Sequence, residues 1–150
     1  MKSKEQNGLK ADADVPNILK QDGVSHSVFD MANQEITHIP DIIEKYGRET
    51  SWSHTLVDTE SNSATLICQL PGEGNRRHHH PDWNEWWFII EGTWEWDIEG
   101  EKKVIKQGDL VFMQKNRKHK ITAIGDKVAI RIAVSRYDVA HVYEKEDYES

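Results

Sequence analysis

The segment from Pro71 to Gly92, PGEGNRRHHHPDWNEWWFIIEG, limits what this chain can become more than any other stretch. His78 and His80 flank His79, Glu85 follows, and Gly92 closes an apolar, β-rich run. In an extended strand alternate side chains share a face, so His78 and His80 converge while His79 turns away. Imidazole nitrogens and a carboxylate aimed at one spot make a ligand set for a divalent transition metal. Three consecutive histidines could also form a solvated loop, but a loop gives no reason for a glutamate and a glycine to follow in register.

The surrounding pattern is strand after strand from Trp52 onward. Apolar stretches over 53–58, 64–70, 85–90, 93–98, 103–106, 110–113, 118–124 and 127–135 alternate with turns such as Glu91-Gly92, Glu99-Gly100 and Gly108-Asp109. With a further strand around His78, this makes about nine short strands, an all-β antiparallel sandwich or barrel. Before it, Pro40 to Gly47 has the start and stop signals of a short helical turn. Residues 1 to about 22 are polar and weakly periodic, and are expected to be partly mobile.

The spacing Gly72, five residues, His78-x-His80, four residues, Glu85, six residues, Gly92 resembles the first signature motif of the cupin superfamily at every position. Gly108-Asp109-Leu110 followed by His119 resembles the second motif. That motif is degenerate: Gln114 and Asn116 stand where proline and glycine are usual, and Ala123 where asparagine is. Asn116 can adopt the left-handed backbone that glycine would supply. The resemblance implies a jelly-roll barrel over 52–135, with an N-terminal extension (1–51) that could reach a partner subunit and an acidic tail (136–150). It also implies one metal ion held by His78, His80, Glu85 and His119. Fe(II) is favoured, with Mn, Ni, Cu or Zn as alternatives. His78 and His80 are expected on one strand, Glu85 on its hairpin partner and His119 on a more distant strand.

Composition narrows the function. A net charge of −7 argues against a nucleic-acid partner. No apolar run approaches the ~20 residues of a membrane span, and the first 20 residues lack a secretory apolar core. Cys68 is the only cysteine, so no intrachain disulfide can form, and a cytoplasmic protein is expected. Alternation sets Trp87 and Ile89 on the face of Glu85, and Trp86, Phe88 and Ile90 on the other. Apolar groups on both faces suggest a homodimer. Trp87 is expected to line a ligand pocket, and Arg131 and Arg77 to select an anionic small molecule. An internal acid, Glu95 or Asp97, is the competing partner for Arg131. No catalytic base is assigned; His54, Tyr46 and Glu95 are candidates. The pattern suits a metal-dependent enzyme, an Fe(II)-type dioxygenase first, then a non-oxidative lyase or isomerase. A non-catalytic small-molecule binding protein is the rival class.

Overall fold

Two sheets, formed by strands that alternate inward and outward side chains, enclose the site between them. The computed structural model describes residues 27–28, 32–81, 83–136 and 142–143. The expectations for residues 1–22 fall outside them. The first sheet runs in the order β1 (Ser27–Val28), β2 (Trp52–Asp58), β3 (Ser63–Gln69), β10 (Ala129–Ser135), β5 (Glu85–Glu91), β8 (Leu110–Met113). The second runs β11 (Val142–Tyr143), β4 (Gly74–His79), β9 (His119–Ile124), β6 (Thr93–Ile98), β7 (Glu101–Lys106). All the pairings are antiparallel except that of β1 with β2. The all-β jelly-roll architecture is therefore present.

The strand carrying the histidines and the strand carrying Glu85 belong to different sheets. This corrects the hairpin expected between them. The chain crosses from one sheet to the other between His80 and Glu85, and a crossover of this kind is not visible in strand periodicity.

Inner faces of both sheets fill the barrel. Ile67, Trp87, Ile89, Trp94, Trp96, Met113, Ile121 and Ala133 form one buried cluster, with Trp94 and Trp96 in tilted edge contact at 6.1 Å. The outer face of the first sheet has its own cover. Helix α1 (Ile39–Tyr46) starts with Pro40 in its first turn and ends at Gly47, whose φ of 81° is glycine territory. Its apolar stripe, Ile39, Ile42, Ile43 and Tyr46, packs with Trp52, Leu56, Leu66, Cys68 and Ile130. Trp52 Nε1 donates to the Gly47 carbonyl at 2.8 Å, fixing the helix end to the sheet. Each such apolar side chain contributes roughly 1.5–3 kcal/mol when fully buried. The remaining outer face, Trp86 and Phe88 with Leu110 and Phe112 beside them on β8, stays exposed. No helix among the described residues is long and apolar enough to cross a membrane.

Close strand packing leaves Gly74 and Gly92 no room for a side chain. A Cβ on Gly74 would sit 1.8 Å from the Ile121 carbonyl oxygen on β9, a backbone atom that cannot rotate aside. Gly74→Ala is expected to lower stability by more than about 3 kcal/mol, because β4 must move away from β9. At Gly125, where φ is +90° and no atom lies within 4 Å, alanine should cost only about 1–2 kcal/mol. Denaturant unfolding of the two variants checks this, and equal losses would contradict it.

Candidate metal centre

Strand register brings the predicted donors together. His78 on β4 lies directly opposite His119 on β9, with ring centroids 4.3 Å apart. His119 is thus on the neighbouring strand, not a distant one. His80 comes one residue past the end of β4, and Glu85 is the first residue of β5, entering from the other sheet. The His80 ring lies 5.0 Å from that of His78 and 5.6 Å from that of His119. Glu85 Oε1 is 2.5 Å from His80 Nε2. All four residues are buried, and one ligand atom from each lies within 4.8 Å of the others. His79 alternates out of this group and pairs in the ladder with Val142.

Hydrogen bonding fixes which nitrogen faces the cluster. His119 Nδ1 donates to the Arg117 carbonyl at 2.9 Å, which leaves the Nε2 lone pair directed inward. Nε2 is buried and has no hydrogen-bond partner of its own. Burial, reinforced by nearby His80 and opposed by Glu85, pushes the His119 pKa down to about 4. The imidazole is therefore neutral at neutral pH, as a metal ligand must be. The loop before His119 holds despite its missing proline and glycine. Asn116 takes the positive φ, 70°, and its N–H donates to the His80 carbonyl at 2.8 Å. The Lys115 N–H donates to Asn84 Oδ1 at 2.8 Å, so the loop is tied to both sides of the site. Three imidazoles and one carboxylate, closed off from water, fit a divalent transition metal ion.

The other expected site residues separate. Trp87 lies beside the cluster, its ring 5.4 Å from that of His119. Arg131 is fully buried, but its guanidinium donates to Gln69 Oε1 at 2.5 Å and to Asn75 Oδ1 at 2.9 Å, and stacks 4.5 Å from the Trp94 ring centroid. Gln69 and Asn75 lie toward the opposite end of their strands from the donors. Nothing in the sequence marks their side-chain amides as guanidinium acceptors. Asp97 does not serve Arg131; it bonds Arg77 at 3.3 Å, and this bond holds its pKa below the usual carboxylate range. Because Asp97 alternates with the inward Trp96, Arg77 is drawn to the outer side of the second sheet. His54, buried on the face under α1, and Tyr46, on α1 itself, are separated from the cluster by the first sheet. Glu95 alternates outward with Asp97. Burial pushes the Cys68 thiol up to about 12, an inert group.

Residues 65–135 match the sequence profile of the Cupin domain family. Together with the double-stranded barrel and the paired motifs, this match supports the cupin superfamily. A conserved protein with a double-stranded β-helix domain from Klebsiella pneumoniae superposes with a TM-score of 0.64 at 19% identity, over 75% of this chain and 94% of that one. Oxalate decarboxylase from Lactobacillus farciminis, in a formate complex, gives 0.56 at 19% identity over 67% of this chain and 33% of that one. These are likenesses of fold. By sequence, polyketide synthase CurC from Streptomyces cyaneus is 27% identical over 73 residues, 49% of this chain and 47% of that protein. The match therefore spans about half of each.

Removing one donor from four leaves an incomplete shell, so His80→Ala or Glu85→Ala should lower metal affinity by more than about 100-fold. His79→Ala should retain about one ion per chain, since its ring faces away. Elemental analysis after dialysis measures both, and equal loss in His79→Ala and His80→Ala would contradict the register.

Proposed function

We propose that this protein is a metal-dependent cupin enzyme that acts on a small anionic organic molecule, with Fe(II) as its working metal and dioxygen as co-substrate. The observation that carries this reading is the buried group of three imidazoles and one carboxylate. With a divalent ion these donors retain one net positive charge in a dry, apolar interior. A ligand carboxylate neutralises that charge, so an anion is the partner that such a centre stabilises best. Bound Fe(II) supplies open coordination positions and the electrons for oxygen chemistry.

The chain's own residues do the rest. The Arg117 carbonyl holds His119 in one tautomer, Glu85 supplies the balancing charge, and the Trp87 ring walls off water on one side. Among the described residues the cluster contains no fifth carboxylate, imidazole or thiol. A lyase or isomerase would use the same donors together with a separate group to carry a proton, so oxygen uptake is what separates the two readings.

Protein loaded with Fe(II) should consume oxygen with at least one compound in a screen of small carboxylates and phenols. His119→Ala should reduce that uptake by more than about 100-fold, the loss expected when the metal shell is broken. Turnover of a carboxylate with no oxygen uptake would replace the dioxygenase reading by a lyase or isomerase. Binding without turnover would make the protein a small-molecule binder.

A further inference from the structure

The outer face of the first sheet changes character where the cover of α1 ends. Strand register arranges its outward side chains in two rows. Val134, Trp86 and Phe112 lie side by side across β10, β5 and β8, and Ile132, Phe88 and Leu110 form the next row. Ile132 is half-buried against the cluster under α1, so the rows begin where the helix stops. Away from it exposure rises, from 39% at Trp86 and 37% at Phe88 to 59% at Leu110 and 58% at Phe112. No charged residue interrupts either row, in a chain that is 30% charged.

An apolar face of this size is costly to leave in water. With about 200 Å² for each full side chain, the four exposed residues present roughly 400 Å² of apolar surface. A patch of that extent marks an interaction site on a soluble protein. It is about half of the ~800 Å² that each partner buries in a stable dimer. The exposed amides Asn84 and Gln114, which continue the outward alternation of β5 and β8, supply a polar but uncharged rim. The position of β8 adds a second observation. β7, the outermost strand of the second sheet, carries Glu101, Lys102, Lys103 and Lys106, charges that keep a free edge from pairing. β8 is outermost in the first sheet and has none from Leu110 to Met113.

A second copy of the chain is the partner that this face fits. A two-fold axis through the rows sets the same uncharged surface on both sides, so apolar side chains meet apolar side chains. Each copy carries a net charge of −7, and the charge-free face is where two such chains approach with least repulsion. A strongly charged partner would find nothing in the rows to pair with. We propose that the protein is a homodimer whose two-fold interface is centred on Trp86, Phe88, Leu110 and Phe112. Glu85 and Trp87 alternate to the inner side of the same strand, so the interface backs the strand that bears the metal donor without covering the site.

Sedimentation velocity and light scattering of the full chain at about 100 μM should give a dimer. Added salt should not dissolve it, since apolar contact and not charge holds it together. Phe112→Glu, which seats an acid against its own copy, should weaken association by more than about 100-fold while the far-ultraviolet spectrum and cooperative unfolding are kept. Phe112→Lys should do the same. Mixed in equal amounts, the two variants should recover the dimer, because the axis brings opposite charges together. Val104→Glu, at a 65%-exposed valine on the outer side of the second sheet, should remain dimeric. A wild-type monomer at that concentration would overturn the proposal, and a monomer that floats with neutral phosphatidylcholine vesicles would assign the face to a lipid surface instead. A doubly substituted protein, Leu110→Glu with Phe112→Glu, that stays dimeric would place the contact elsewhere, and failure of the mixed variants to pair would rule out the two-fold.

Discussion

Glu85 is a carboxylate with 3% of its surface exposed, set inside a barrel whose other walls are largely isoleucine, tryptophan and alanine. An ionised group moved from water into such surroundings costs several kcal/mol unless a partner of opposite charge meets it. Burial opposes the protonation of His119, which would otherwise supply that charge. A divalent cation satisfies the carboxylate and the inward lone pairs together. The barrel thus needs its donors to arrive from two sheets at one point, and the details of register follow from that need. His78 faces His119 across one ladder, Glu85 enters from the other sheet, and the loop through Asn116 closes over His80.

The rest of the interior is divided by the same logic. Trp87, Trp96 and Trp94 form a chain of edge contacts leading away from the donors, at 5.4 Å and then 6.1 Å. Beyond them the second buried charge, Arg131, finds two amide oxygens and the face of Trp94. Aromatic walls between the two charged centres keep each in its own set of partners. The outer face of the first sheet is handled separately by α1, whose stripe of isoleucines covers Trp52 and Leu66. The four donors are thus gathered at one end of the barrel and Arg131 toward the other.

Much of this was legible in the sequence because it rests on local rules. Alternation separates His78 and His80 from His79, puts Trp87 with Glu85, and turns Trp86 outward. Asn116 was readable as a left-handed residue from its side chain alone. What could not be read depends on which strands become neighbours. Nothing local shows that the chain changes sheets between His80 and Glu85, so a hairpin was the natural but incorrect expectation. The arginines were misplaced for the same reason. Arg131 has an inward register, as alternation predicts, but its direction along the barrel is set by Gln69 and Asn75, distant in sequence. Arg77 follows Asp97, which alternates outward on a strand of the same sheet.

The central claim is that His78, His80, Glu85 and His119 hold one ion together. X-ray absorption of the zinc-loaded protein addresses this without any assumption about turnover. The account predicts a first shell dominated by nitrogen and oxygen at about 2.0–2.2 Å, with the outer-shell scattering of about three imidazole rings. A shell of oxygen alone, with no imidazole signature, would mean that the ion sits among surface carboxylates, and would contradict the buried centre.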